Sequence, residues 1–226
     1  MFTVRGNLAD IGRAWKANLG LMLVLGVVTA LISMGVRFGL DEPSNTSLDP
    51  RIRDSLVMQL VDGALAILPL FVLAPRILPA LQRAVPWNRL PVVLLLSAVT
   101  HVATAFGFAF FIIPGIILSV IFFAAAPFAL TRGVDQALTE SIRLGWRQFW
   151  WVFGTLLMLL LVLIGVSMLA FVPLYFLGLD HPIFIAAAFL LAVVTVPAAA
   201  VAQLVLAQNL EGGPDVVPSE VVDAFD

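Results

Sequence analysis

The chain has 226 residues, of which 62% are hydrophobic and 12% are charged, and its formal net charge at pH 7 is −2. A soluble domain carries about a quarter charged residues, so this chain lacks the polar surface needed to cover a globule in water. No basic surface for nucleic acid is predicted from this charge balance. Cysteine is absent, which excludes disulfides, thiolate metal ligands and a cysteine nucleophile. Composition therefore predicts an integral membrane protein.

Six apolar segments approach or exceed the length that a helix needs to cross a bilayer, about 20 residues. In chain order they are residues 19–36, 56–74, 90–113, 115–130, 149–177 and 183–206. They lack the alternation of barrel strands, and helices satisfy their own backbone hydrogen bonds in lipid. We predict an all-α, polytopic six-helix transmembrane bundle as a single domain, residues 1–210, with interfacial amphipathic helices before the first and fifth spans. We expect the first span to be retained, because its apolar run exceeds that of a signal peptide.

The basic residues predict the orientation of this bundle. With the N-terminus inside, nine of the twelve lie on the inner side and only Arg37, Arg51 and Arg53 on the outer side. All five tryptophans also lie at the inner interface, where amphipathic rings prefer to sit. Both termini are therefore predicted to be cytoplasmic. Residues 211–226 carry five acids and no base, and predict a disordered acidic cytoplasmic tail.

The Pro114-Gly115 pair separates the third and fourth spans. Proline interrupts a helix interior and glycine permits a tight reversal, so a hairpin with a short outer turn is predicted. The alternative is one long kinked helix, about twice the length that a bilayer needs.

Residues 135–149 then have the pattern of an amphipathic helix. The apolar side is predicted to contain Ala137, Leu138, Ile142, Gly145 and Phe149.

The basic residues of this segment suggest a membrane surface. Arg132, Arg143 and Arg147 are candidates to face lipid headgroups, since basic side chains are attracted to anionic lipid. The helix either anchors the bundle or provides a docking surface for headgroups or a partner. A similar basic and aromatic segment precedes the first span, so the N-terminal half and residues 131–177 are a candidate internal repeat.

A candidate intramembrane polar site involves the second and third spans. Gln59 and Asp62 share a face of the second span, and Ser97, His101 and Thr104 share a face of the third. At 1.5 Å per residue, Asp62 and His101 reach similar depths. A facing pair would relay protons or bind a cation. Two plainer alternatives stay open: a structural contact between helices, and an Asp62 hydrated near the outer interface.

No cofactor, metal site or catalytic residue is predicted. The two histidines, His101 and His181, are too far apart for metal-ligand spacing. The sequence contains no zinc-protease motif, phosphate-binding glycine loop or nucleophile elbow.

The segment "IPGIILSVIFFAAAPFAL…G…ALTESIRLGWRQFWWVFGTLL" resembles the membrane domain that is often fused to glycerophosphoryl diester phosphodiesterases, and related multi-span bacterial inner-membrane proteins. The match covers residues 113–160, and "AWKANLGLMLVLG" near the N-terminus also fits. It is carried by Pro114, Gly115, Pro127, Gly133, Ala137, Leu138, Ser141 and Trp146. The resemblance implies a six-span bundle in the inner membrane, with no established activity for the membrane part. The phosphodiesterase half has no counterpart here.

Two functions are compatible with these patterns. The leading expectation is a non-enzymatic membrane protein that organises, assembles with or regulates other components, with membrane lipids and a second membrane protein as partners. The rival is a small transporter or permease whose polar interior includes Asp62 and His101. An intramembrane enzyme is least favoured, because no nucleophile and base are adjacent on one face except near His101.

Overall fold

The computed structural model describes residues 3–40, 61, 64–78, 81, 87–175 and 182–211. Regular structure in these residues is helical throughout, which confirms the predicted all-α class. The helices are α1 (Val4–Leu40), α2 (Ile67–Ile77), α3 (Leu90–Phe110), α4 (Ile112–Phe122), α5 (Ala125–Thr131), α6 (Val134–Arg147), α7 (Phe149–Tyr175) and α8 (Pro182–Glu211), with a 3-10 turn at Trp87–Arg89.

Five helical segments are long and apolar enough to cross a membrane. They are Val4–Val36, Trp87–Phe108, Ile112–Thr131, Phe149–Met168 and Phe189–Glu211. They correspond to five of the six predicted spans. In the region of the second predicted span, α2 has 11 residues, and residues 56–60, 62 and 63 of that span lie outside the described part of the chain.

The outer surface of the bundle is apolar. On α1, Leu19 and Leu31 are each more than half exposed, and only 11% of the membrane-length segment of α7 is buried. Large contiguous apolar surface is unfavourable in water, whereas lipid solvates it. These faces therefore support a membrane environment.

The core lies around α2 and the second half of α8. Leu73 on α2 and Val201, Leu204 and Leu206 on α8 are completely buried. Over residues 197–210 of α8 only Ala199 is exposed, so other helices surround this half of α8. Both helices pack on α1, so the three form the centre of the bundle.

One end of the bundle contains the starts of α1 and α3 and the ends of α2, α5 and α8. Helices α1 and α8 are antiparallel, because Asn7 bonds to Asn209 while Gly26 packs on Val193. The start of α3 meets the end of α5, since Arg89 donates to the Arg132 carbonyl at 2.8 Å. Most of the described charged side chains lie at this end. We call it the charged end and define it by Asp10, Arg13, Arg89, Arg132, Glu140, Arg143 and Glu211.

The predicted hairpin between the third and fourth spans is confirmed, but its turn lies elsewhere. The chain reverses at Phe111, which has extended backbone between α3 and α4. Pro114 lies in the first turn of α4. Backbone N–H groups in a first turn have no acceptor within the helix, so the missing N–H of proline costs no hydrogen bond. The two helices approach closely at Gly107, since a β-carbon there would lie 2.9 Å from Cα of Gly115.

Helix α6 is a separate amphipathic helix, as the pattern predicts, but its buried face differs from the predicted one. Ala137, Ser141 and Gly145 are buried, whereas Ile142 is 44% exposed. The small residues allow a closer approach to α4 than isoleucine would. A β-carbon on Gly145 would lie only 3.1 Å from the Val120 carbonyl oxygen.

The N-terminal segment has a different form. Helix α1 is continuous from Val4 to Leu40, so no break separates an amphipathic helix from the first span. In the second half of the candidate repeat, a turn at Gln148 separates α6 from α7. The two candidate repeat units therefore differ at this point.

Candidate functional site

A cavity of about 600 Å³ lies inside the bundle. Its walls come from α3, α4, α7 and α8, together with Ala126 of α5 and one side chain of α1. Small-molecule sites occupy about 300–1,000 Å³, are mostly apolar and carry a few placed polar groups. This cavity has that size and that kind of lining.

The predicted polar face of the third span lines this cavity. Ser97, His101 and Thr104 are all on its wall, as is Thr100 between them. The face forms because α3 places residues three, four and seven apart on one side. Polar side chains of two further helices join it: Ser119 of α4, and Thr195 and Gln203 of α8.

The ring of His101 is held by its own helix. Its Nδ1 atom lies 2.9 Å from the Ser97 carbonyl oxygen and 3.5 Å from the Ser97 hydroxyl. A carbonyl oxygen only accepts, so Nδ1 carries the proton in this hydrogen bond. In a neutral ring with this tautomer, Nε2 is a hydrogen-bond acceptor.

The hydroxyl groups on the wall are anchored to nearby carbonyls. Thr100 donates to the Ser97 carbonyl at 3.0 Å, and Ser119 donates to the Gly115 carbonyl at 2.8 Å. Their oxygens keep lone pairs that can accept further hydrogen bonds. At these positions the wall is therefore polar, and each hydroxyl proton already has an acceptor.

Trp15 contributes a donor with no partner. Its ring lines the cavity, and its buried Nε1 makes no hydrogen bond within the described part of the chain. A buried donor left unsatisfied costs roughly 1–3 kcal/mol. The sequence placed Trp15 at the membrane interface with the other tryptophans. The Trp15 ring packs against the core, whereas Trp87, Trp146, Trp150 and Trp151 are exposed.

The rest of the lining is apolar. It includes Leu156, Leu159, Leu160 and Leu163 on α7. Leu160 and Leu163 are also exposed, as is Phe108 at the end of α3. The cavity therefore opens on the outer surface of the bundle on this side.

The residues of the second span that were predicted to lie near His101 are outside the described part of the chain. Gln59 and Asp62 are not among the described residues, so the pairing of Asp62 with His101 stays a prediction.

The predicted headgroup-facing arginines have different environments. Arg132 bonds to Glu211 at 3.0 Å, lies 3.7 Å from Glu140, and stacks over the Phe128 ring at 5.3 Å. Arg143 pairs with Glu140, three residues earlier on the same helix, at 2.8 Å, but its side chain is 65% exposed. Arg147 is also exposed. Arg143 and Arg147 are therefore accessible to headgroups, while Arg132 connects α6 to α8.

Polar residues that the sequence did not single out join three helices at the charged end. Asn7 of α1 is 1% exposed and donates to the Thr155 hydroxyl of α7 at 3.2 Å. Asn209 of α8 donates to Asn7 at 3.0 Å and to Asp10 at 3.2 Å. We call Asn7, Thr155 and Asn209 the three-helix junction. The three residues lie far apart in the chain, so no local pattern predicts their meeting.

Within the described ranges, histidines and acidic residues form no group of three that would hold a metal ion. Comparison of the whole sequence with models of protein families, with curated proteins and with solved structures finds no match.

Proposed function

We propose that this protein is an integral membrane protein that binds a small, largely apolar molecule inside its helix bundle, as a carrier or permease does. The observation that carries the proposal is the cavity, whose polar wall contains Ser97, His101 and Thr104. Polar residues inside membrane bundles face the interior and mark binding sites and pathways by default.

This function is favoured over that of an organising or assembly component. An organising component is expected to have a closely packed interior, because protein interiors rarely contain voids larger than a water molecule. A cavity of about 600 Å³ would have to be filled by lipid, water or a ligand. Its opening at Leu160 and Leu163 favours entry from the bilayer.

The topology that we propose has six crossings, with both termini in the cytoplasm of a bacterial inner membrane. Helix directions support it. The start of α1 meets the end of α8 at the three-helix junction, which requires the chain to return to its starting side. Five crossings alone would separate these ends. A return through α2 supplies the even number, because Leu78 lines a pocket with Glu211 at the charged end.

The surface position of α6 is part of the same proposal. The helix begins at the charged end, directly after Arg132, and has one face of small buried residues. Trp146 and Arg147 lie exposed at its far end. Such a helix lies along a membrane surface with basic and aromatic side chains at headgroup level.

The cavity is tested by filling it. Ala199 lines the cavity and is itself exposed to it, so Ala199→Trp adds an indole there at little packing cost. Ala186→Trp is the control on the same helix, at an exposed position outside the cavity. Each protein is purified in nanodiscs, and retained small molecules are identified by mass spectrometry.

We expect a small molecule to be enriched over empty nanodiscs with the natural protein and with Ala186→Trp, and to be lost with Ala199→Trp. Equal content in all three proteins and in empty nanodiscs, with a membrane protein that co-purifies, would overturn the proposal in favour of the organising function.

A further inference from the structure

We propose that the cavity continues to the charged end as a pathway along one face of α8, and that the ion pair between Arg132 and Glu211 is the gate of this pathway. The inference rests on the proposed function and adds the route by which a bound molecule reaches the charged end. It is carried by a second cavity on the same face of α8 and by the ion pair that one of its lining residues makes.

The second cavity is smaller, about 260 Å³, and lies closer to the charged end. The end of α2, helix α5 and the last turns of α8 line it. Thr131, Gln208 and Glu211 place a hydroxyl, an amide and a carboxylate on its wall, so water or a solute can form hydrogen bonds there. Polar groups inside a membrane bundle mark pathways by default.

One face of α8 extends from the large cavity to the small one. Residues four apart lie on the same side of a helix, and this spacing relates Thr195, Ala199, Gln203, Ala207 and Glu211. The first three line the large cavity, and the last two line the small one. At 1.5 Å per residue this face is about 24 Å long, most of the ~30 Å thickness of a hydrocarbon core.

The two cavities are about one helical turn apart. On α8, Gln203 of the large cavity and Ala207 of the small one are four residues apart, about 6 Å along the axis. On α5, which packs on α8, Ala126 lines the large cavity and the next residue, Pro127, lines the small one. Ala207 is only 1% exposed, so the pathway is closed at this turn.

The ion pair lies between the small cavity and a groove on the protein surface. Glu211 lines the small cavity. Arg132 lines the groove, together with Asp135, Gln136 and Thr139 of α6, which are exposed. Nη2 of Arg132 and Oε1 of Glu211 are 3.0 Å apart. Separation of this pair would join the small cavity to the groove.

The pair has the properties that a gate requires. Its two side chains are 31% and 34% exposed, so water weakens their attraction and their separation costs little. Arg132 also has other partners, since it lies 3.7 Å from Glu140 and 5.3 Å from the centre of the Phe128 ring. The guanidinium therefore stays compensated when the Glu211 carboxylate moves away.

Cysteine accessibility tests the pathway, because the natural chain has no cysteine. Ala207→Cys places a thiol in the small cavity. Val205→Cys is the matched control, since Val205 is buried on the same turn but lines neither cavity. Each protein in nanodiscs is treated with hydroxyethyl methanethiosulfonate, a small neutral thiol reagent, and modification is followed by mass spectrometry. We expect Ala207→Cys to be modified and Val205→Cys to stay unmodified.

Two substitutions of opposite charge test the gate. Glu211→Gln removes a carboxylate and increases the thiolate fraction of a nearby cysteine, whereas Arg132→Gln removes a cation and decreases it. Faster modification with both substitutions therefore reports opening rather than altered thiol chemistry. We expect modification of Ala207→Cys to be about 5-fold faster with each, the factor that corresponds to about 1 kcal/mol. Glu140→Gln leaves the gate pair in place and should not change the rate.

A thiol one turn deeper tests whether the two cavities are connected. Gln203→Cys lines the large cavity, and we expect Glu211→Gln and Arg132→Gln to accelerate its modification as well. A rate at Gln203→Cys that neither substitution changes would show that the cavities are separate and would overturn the pathway.

The outcomes separate this inference from the proposed function. Modification of Ala207→Cys that is as slow as that of Val205→Cys in every background overturns the pathway, and acceleration by only one of the two charge substitutions, or by neither, overturns the gate. Gln208→Cys, at a half-buried position of the same cavity, decides the matter if Ala207→Cys does not fold. The binding function stays in place in each case if a small molecule is retained by the natural protein and lost with Ala199→Trp.

Discussion

The carbonyl oxygen of Val193 on α8 lies 1.8 Å from the point that a β-carbon on Gly26 of α1 would occupy. Since a Cα–Cβ bond is about 1.5 Å long, Cα of Gly26 is within about 3.3 Å of this oxygen, the range of a Cα–H···O contact. Pro197 lies four residues after Val193 and has no N–H to offer this carbonyl. The glycine of one helix thus approaches a carbonyl that proline leaves without its usual partner.

Gly26→Ala is expected to separate α1 from α8 and to lower thermal stability. The obstruction is backbone, which cannot rotate aside, and overpacking costs roughly 1–3 kcal/mol. The measurement is the melting temperature in mild detergent. Gly20→Ala, on the exposed side of the same helix with open space around it, should be neutral or stabilising because alanine favours helix. Equal melting temperatures for the two variants would contradict this contact.

The three-helix junction gives a second stability prediction. Asn7→Ala removes the hydrogen bonds to Thr155 and from Asn209 in a fully buried setting, and we expect a loss of about 1–3 kcal/mol. A double-mutant cycle with Asn209→Ala should give a coupling of about 0.6 kcal/mol or more, the average for polar contacts between membrane helices. Asn88→Ala, at an exposed position, serves as the control. Additive losses in the cycle would show that Asn7 and Asn209 do not interact.

Much of the fold follows from the sequence, and most of the site does not. Length and apolarity predicted six spans, five of which correspond to described helices that are long and apolar enough to cross a membrane. Helical spacing placed Ser97, His101 and Thr104 on one face, and all three line the cavity. The turn at Phe111 was missed because Pro114 is compatible both with a break and with the first turn of a helix. The inward packing of Trp15 was not predicted, because side-chain type does not reveal which way a helix faces.

Contacts between distant helices were beyond sequence reasoning for a physical reason. Asn7 and Asn209 are 202 residues apart, and Gly26 has no local feature that points to Val193. Whether a cavity forms depends on how far α3 and α4 are held from α7 and α8. The apolar side chains on these helices have no spacing that specifies that distance.

The seating of α6 on α4 depends on small residues. Ser141 is completely buried and donates to the Ile121 carbonyl at 2.6 Å, and Gly145 lies against the same turn. Gly145→Leu is expected to displace α6, with faster hydrogen exchange along residues 134–147 and little change in α1. Ser141→Ala should have a smaller effect, because it removes one hydrogen bond and adds no bulk. Gly12→Leu, where nothing lies within 4 Å of the added β-carbon, is the control. Unchanged exchange in α6 after Gly145→Leu would contradict the seating.

The arginines at the charged end are expected to have two roles: Arg132 connects helices, whereas Arg143 and Arg147 contact lipid headgroups. Arg132→Gln breaks ion pairs with Glu140 and Glu211 whose side chains are about a third exposed, so we expect a loss of at most about 1 kcal/mol per pair. This loss should be the same with zwitterionic and anionic lipid. Arg143→Gln and Arg147→Gln should instead reduce the extra stability that anionic lipid gives, by about 1 kcal/mol for each charge removed. Melting temperatures in nanodiscs of the two compositions distinguish the cases. A lipid-dependent loss for Arg132→Gln, with no such dependence for Arg143→Gln or Arg147→Gln, would reverse the assignment and place Arg132 against the headgroups.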